Sequence, residues 1–280
     1  MTMTKQEVEE VAVLRDYSII KSNEIIQRAK YDLTLQELKI LSYCFSMIKP
    51  NDSIDTTYTF SIIDFCKVSG IDYQNGKNYR NVKNALTRLL TRVFWMTDSD
   101  GSEVSYHWIE KVKIHRGKGK ITVRFDEGLK RHIFGLMKNF TQYELLSTLP
   151  MQSQYSFRLY ELLKSYAFTQ EHRFSVDELK TALNATQYKR FADFHVRVIQ
   201  KAVEEINLYT DIEVSYETIT KGRNVASIIF YIRQRDTWGQ IEARSNAKNA
   251  LEDKPKKKKK KKPEPDGEQI EGQMQIDDYF

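Results

Sequence analysis

The feature that most constrains this chain is that one order of segments occurs twice, about 115 residues apart, so each copy must satisfy the same helix and strand pattern on its own. In the first copy, after a short helix over 23–30 with Ile25, Ile26 and Ala29 on one side, Thr34 with Glu37 three residues on reads as a capping box opening a helix over 35–48. Leu38, Leu41, Cys44, Phe45 and Ile48 recur along it at helical spacing. A β-prone run over 57–60 follows, then a helix capped by Ser61 that stops at Gly70, and a helix over 79–92 with Val82, Leu86, Leu89 and Leu90 inward. Strand-like runs over 93–97, 103–114 and 120–125 are separated by Asp98-Ser99-Asp100-Gly101 and Arg116-Gly117-Lys118-Gly119.

The second copy has a helix over 153–168, a short β element at Arg173-Phe174-Ser175, a helix over 176–183 and a long helix over 191–208. Strands over 211–218 and 226–233 come last, joined by Thr220-Lys221-Gly222-Arg223-Asn224. The copies align loosely by residue: Phe60-Ser61-Ile62 with Phe174-Ser175-Val176, and Val82, Ala85, Leu86 and Leu89 with Ile199, Ala202, Val203 and Ile206. Three helices followed by a hairpin with a basic tip is the plan of a winged helix. The expectation is an α+β chain of two tandem winged-helix domains, 1–138 and 139–238, with a disordered lysine-rich C-terminal tail over 239–280, at whose start Gln240 to Leu251 could extend a helix.

Composition fits a folded body, with 40% hydrophobic and 29% charged residues. No apolar run approaches the roughly 20 residues needed to span a bilayer. The N-terminus, Met1-Thr2-Met3-Thr4-Lys5, lacks the apolar core of a signal peptide. A cytoplasmic protein without membrane partners is expected, and the lone Cys44 and Cys66 read as packing residues. The net charge of +6 falls on the body, because the eight lysines after residue 250 are matched there by eight acids. Catalysis finds no support: Gly117-Lys118-Gly119-Lys120 lacks the spacing of a phosphate-binding loop. His107, His115, His132, His172 and His195 never form a His-x-His pair, so no catalytic residue, metal site or cofactor is expected.

Nucleic-acid readout fits better. On the helix from Phe191, the stripe Phe194, Val198, Ala202 and Ile206 leaves Arg190, Arg197, Gln200 and Lys201 on the far side, with Lys189 and His195 beside them. Arg can bind guanine O6 and N7, and Gln can pair with adenine, in a major groove. The same charges would also suit a merely solvated amphipathic helix. The hairpin tip adds Lys221, Arg223 and Asn224 within reach of phosphates, with Gly222 for the turn. The first copy repeats the design with Arg80, Lys83, Asn84, Thr87 and Arg88 on its third helix and Arg116, Lys118 and Lys120 at its wing.

Three stretches carry a family resemblance. Lys21-Ser22-Asn23 with Ile26, Ala29, Tyr31, Leu33-Thr34 and Glu37-Leu38-Lys39-Ile40 resembles the opening motif of initiator proteins from theta-replicating, iteron-bearing plasmids. Residues 153–163, Ser153-Gln154-Tyr155-Ser156-Phe157-Arg158-Leu159-Tyr160-Glu161-Leu162-Leu163, resemble the start of that family's second winged helix. Phe191, Phe194, Val198, Ala202 and Glu205-Ile206-Asn207 resemble its DNA-reading helix, and the match runs in order from about Asp16 to Arg233. The resemblance implies that the second domain binds directly repeated origin sequences, with Arg190, His195, Arg197 and Lys201 on the base side. It implies backbone contacts and a dimer interface for the first domain, and host partners such as a helicase or its loader and the host initiator. Relatives often carry a more basic pair where His195 and Val196 stand. Within this frame a dimeric repressor on an inverted repeat, which initiators of this kind often also are, is not separable by sequence.

The tail holds a second pattern. Gln273, Ile276, Tyr279 and Phe280 have the spacing of a peptide that docks on sliding clamps, though an acidic tail with chance aromatics would read the same way. A clamp-binding adaptor is therefore a further alternative. The lysine run Lys256 to Lys262 is expected to act as an electrostatic tether for DNA.

Overall fold

A computed structural model describes residues 18–49, 51–72, 76–97, 100–115 and 117–252. Strand β1 (Ser18–Ser22) leads into helix α1 (Asn23–Arg28), capped by the Ser22 hydroxyl, which accepts from the Ile25 amide. Helix α2 (Leu35–Phe45) opens on the expected capping box, Thr34 and Glu37 each accepting from the other's backbone amide. Strand β2 (Tyr58–Ser61), helix α3 (Ile62–Val68), helix α4 (Gly76–Leu89) and strands β3 (Val93–Thr97), β4 (Glu103–His107), β5 (Ile109–His115) and β6 (Lys120–Phe125) follow. The short helix α5 (Lys130–Ile133) and strand β7 (Phe140–Glu144) lead to the second copy. That copy comprises helix α6 (Gln154–Ser165), strand β8 (Glu171–Ser175), helix α7 (Val176–Ala182), the reading helix over 191–209, strands β9 (Ile212–Lys221) and β10 (Asn224–Gln234), and a last helix, α10 (Thr237–Glu252). The reading helix is α over α8 (Phe191–Phe194), π over His195–Gln200 and α again over α9 (Lys201–Tyr209).

The duplication is real at the level of hydrogen bonds. Both sheets have one order, β2-β6-β5 and β8-β10-β9, in which the short strand pairs with the returning wing strand. Ser61 caps α3 and Ser175 caps α7. Both helices end in a Schellman turn: Gly70 N–H bonds Lys67 O and Ile71 N–H bonds Cys66 O, as Asn184 does to Thr181 and Ala185 to Lys180. That turn demands a left-handed residue, and Gly70 (φ +60°) and Asn184 (φ +50°) supply it.

The structure corrects the sequence reading in two places. The strand expected over 103–114 breaks at Trp108, which is 2% exposed and packs against Phe94, Tyr31 and Phe45 at ring distances of 4.4, 5.0 and 6.4 Å. Burying that ring turns the chain out of the two-stranded β3-β4 sheet and into the wing. Residues 239–252, assigned to the tail although 240–251 could extend a helix, form most of α10, with Ala243 and Ala247 buried, so the tail begins later than expected. Cys44 and Cys66 are fully buried, and desolvation pushes the Cys66 thiol up to about 11.

The two copies share one apolar cluster. β7 pairs antiparallel with β1, so the segment just after residue 138 is tied to the start of the first copy. Helix α6 packs on α1, α2 and β7. At this junction the buried Glu161 carboxylate accepts from Lys21 Nζ at 2.5 Å, Tyr143 Oη at 2.5 Å and Arg158 Nη1 at 3.1 Å. Arg158 also donates to Ile26 O at 3.3 Å and lies 4.3 Å over the Tyr31 ring. Burial alone would raise the Glu161 carboxyl, but the two cations and their hydrogen bonds hold it below its ordinary range. The stabilisation is therefore complete above the unfolded-state value of about 4.3 and is lost as pH falls through the lower folded value. Glu161→Ala leaves Lys21 and Arg158 buried without their counter-charge. Urea unfolding at pH 7 is expected to show a loss of about 3–5 kcal/mol for it, against about 1–2 kcal/mol for Tyr143→Phe.

Candidate nucleic-acid interface

The reading helix owes its shape to its apolar spacing. Phe194, Val198, Ala202 and Ile206 are all fully buried, yet steps of four residues overshoot an α-helical turn by about 40° each. The π segment over His195–Gln200 widens the turns and keeps that stripe on the core. Lys189, Arg190, Arg197, Gln200 and Lys201 are exposed on the other side, with Val196 53% exposed among them. Arg190 Nε lies 3.9 Å from Asp193, and Gln200 donates to Glu204 at 3.2 Å. Arg197 and Lys201 have no ion pair among the described residues. His195 is half-buried and faces the wing instead, its Nε2 lying 2.8 Å from Tyr216 Oη on β9. It joins helix to wing, a contact invisible to sequence reasoning because it depends on the β9 register.

The second wing ends in a two-residue turn, with Lys221 and Asn224 paired across it. Gly222 takes the positive φ (+65°) that this tight hairpin requires at its first turn position. Lys221, Arg223 and Asn224 are all exposed there.

In the first copy Arg80, Lys83, Asn84 and Thr87 are exposed along α4, which packs against β5. The Thr87 hydroxyl is turned back on the helix, donating to Lys83 O at 3.0 Å. Arg88 is held differently: its Nε donates to the fully buried Glu37 carboxylate at 2.9 Å, with Arg92 Nε 3.6 Å away. Burial would raise Glu37, but Arg88, the Thr34 amide and Arg92 together lower it. Lys118 and Lys120 are exposed on the β5-β6 wing, whereas Arg116 lies outside the described residues. Sequence reasoning missed Lys111 and Lys113, exposed two residues apart on β5; strand alternation past Trp108 was the available signal. The lysine run and Gln273, Ile276, Tyr279 and Phe280 lie outside the described residues.

Arg88→Ala removes one of the two guanidinium partners of a buried carboxylate, so it is expected to cost roughly 1–2 kcal/mol in chemical denaturation. Arg80→Ala, on the same helix, is expected to stay within about 0.5 kcal/mol of the parent.

Two family profiles match this chain: "Initiator Replication protein, WH1" over residues 18–164 and "Initiator Rep protein, WH2" over residues 175–232. Among solved structures, the Pi initiator protein, crystallised in complex with iteron DNA, shares the fold with a TM-score of 0.67. That alignment has 21% identity and covers 79% of this chain and 99% of the other. The WH1 domain of MSBI1.176, a replication protein isolated from a multiple sclerosis patient, aligns at 11% identity over 35% of this chain and 73% of its own. Its TM-score of 0.26 is too low to bear on the fold. The first profile alone spans more than half of the sequence, and with the second completing it the chain belongs to the initiator replication protein family, carrying both of that family's winged-helix domains.

Proposed function

We propose that this initiator binds directly repeated duplex sequences at a plasmid origin, as the Pi initiator protein does with iteron DNA. The observation that carries the reading is the repeated pairing of an exposed basic helix with an exposed basic hairpin, in two copies fixed to each other through one core. Arg190, Arg197, Gln200 and Lys201 read bases in a major groove, while Lys189, Lys221, Arg223 and Asn224 hold phosphates. In the first domain, Arg80, Lys83, Asn84, Thr87, Lys118 and Lys120 add backbone and flanking contacts. Arg116 and Arg88 belong to the same set, Arg88 with its Nε committed to Glu37. The division falls near residue 138, where one winged helix gives way to the other.

Several copies on adjacent repeats bend and strain the neighbouring A·T-rich duplex, and this binding energy, with no nucleotide consumed, favours opening. Host proteins then carry replication forward. They are a helicase or its loader, the host initiator, and a sliding clamp held through Gln273, Ile276, Tyr279 and Phe280. As a dimer joined through the first domain, the same protein represses its own gene on an inverted repeat. It acts where plasmid DNA is, in the cytoplasm; none of the described helices is long and apolar enough to cross a membrane.

Selection of bound duplexes from a random pool near physiological salt is expected to return one site of roughly 20 base pairs, about two helical turns. Arg197→Ala should lose about 1–3 kcal/mol on that site and relax its sequence preference. Lys221→Ala should weaken all sequences alike and reduce the salt slope by about 0.9. Binding without any enriched sequence, vanishing as salt rises, would sink the proposal.

A further inference from the structure

The sheet of the first winged helix has two faces of opposite character. Along β6, Ile121, Val123 and Phe125 are buried in the core, so Lys120, Thr122 and Arg124 between them point the other way. The register sets Lys111 opposite Arg124, Lys113 opposite Thr122 and His115 opposite Lys120, with Thr59 of β2 on the far side of Thr122. The middle of this face is already joined: His115 Nε2 lies 2.8 Å from Thr122 Oγ1, which lies 2.7 Å from Thr59 Oγ1. Arg124 is neutralised by Glu110, at the bulge of β5, with Asp55 nearby. Lys111, Lys113 and Lys120 are exposed and make no ion pair among the described residues. The same face of the second sheet is built differently. There Arg233 is held by Glu213, Arg173 Nε donates to Ser227 Oγ at 2.9 Å, and Tyr231 Oη donates to Glu217 at 2.6 Å. Two copies of one fold thus present one sheet face with free cations and one whose cations are engaged within the face.

We propose that the outward face of the β2-β6-β5 sheet is a second phosphate-binding surface of the first winged helix, gripping the duplex that flanks the selected site through Lys111 and Lys113. The inference rests on the DNA-reading function proposed above and extends it past the wing tip. Lys120 belongs both to the tip, beside Lys118, and to this face, so the two basic surfaces are continuous. Lys111 and Lys113 stand about 7 Å apart along β5, and the row from Lys111 to His115 at the tip end covers about 13 Å. That is the length of about four base pairs of duplex. Charge selects phosphate as the partner, and the side chains select the form of DNA. The face carries no Phe, Tyr or Trp on which an unstacked base could lie, so it suits paired DNA rather than a separated strand. A flat sheet face puts no helix or ribbon into a groove, so it meets backbone only and its grip is blind to sequence.

The test uses the full chain on a duplex carrying a single selected site with long flanks, so that no neighbouring copy is present. Lys111→Gln/Lys113→Gln is expected to lower the slope of log affinity against log salt by about 1.8, at about 0.9 for each of two phosphates released. Hydroxyl-radical footprints should lose about four base pairs of protection at one end, adjoining the positions that Lys118→Gln uncovers. The sequence selected from a random pool should stay the same. Arg233→Gln, on the matching face of the second sheet, should change neither slope nor footprint. A double variant whose slope and footprint match the parent overturns the proposal. So does one that matches the parent on a single site yet loses cooperativity on two adjacent sites, because the face would then meet a neighbouring copy instead of DNA. If the parent selects no sequence at all, the functional reading itself fails, and the same slope comparison on unselected duplex still decides the role of this face.

Discussion

The packing that ties the start of the chain to helix α6 centres on one buried carboxylate. Glu161 on α6 holds Lys21 from β1, Tyr143 from β7 and Arg158 from its own helix. A charge in such a place is costly to desolvate, so it persists only with its donors in position, and those donors come from segments as far as 140 residues away in the chain. The arrangement fastens β1, β7 and α6 to one another. Interdomain contacts within a chain are ordinarily modest and permissive. Here β1-β7 pairing and a continuous apolar core surround the ion cluster.

The two copies have diverged around that constraint in an ordered way. Caps, helix ends and sheet order are common to both, because the helix-turn-helix and its hairpin cannot be built without them. What differs is placed at the edges. The first copy inserts the β3-β4 hairpin between its third helix and its wing and pivots on Trp108. The second goes directly from the reading helix to the wing and adds a π segment and a joint between His195 and Tyr216.

The general plan was legible in the sequence because caps and periodicity act locally. Thr34 with Glu37, Ser61, Ser175 and Gly70 each announce a boundary through hydrogen bonds made within a few residues. Ala202 and Ile206 reveal a buried face by spacing alone. What was hidden depends on contacts distant in the chain. Lys21 and Glu161, prominent in the family resemblance, are 140 residues apart, and nothing local says that they meet. Arg88 looked like another exposed base on α4 because its partner Glu37 lies 51 positions earlier. The helix over 240–251 was within reach of the sequence but its docking was not: only two small alanines face inward, too faint a stripe to say where it packs.

The π segment has a further consequence for how the reading surface can change. It works as a phase shifter placed in the middle of the helix. Arg190 lies ahead of it, Arg197 and Gln200 within it, and Lys201 at its exit. Relaxing that window to ordinary α-helix with all its residues kept would turn the upstream part against the downstream part by roughly 100°, because a π turn takes up about one residue more than an α turn. The core stripe and the outward face would then fall out of step together. Point substitutions change one outward side chain of this helix at a time; losing its wide turns would scramble the alignment of them all.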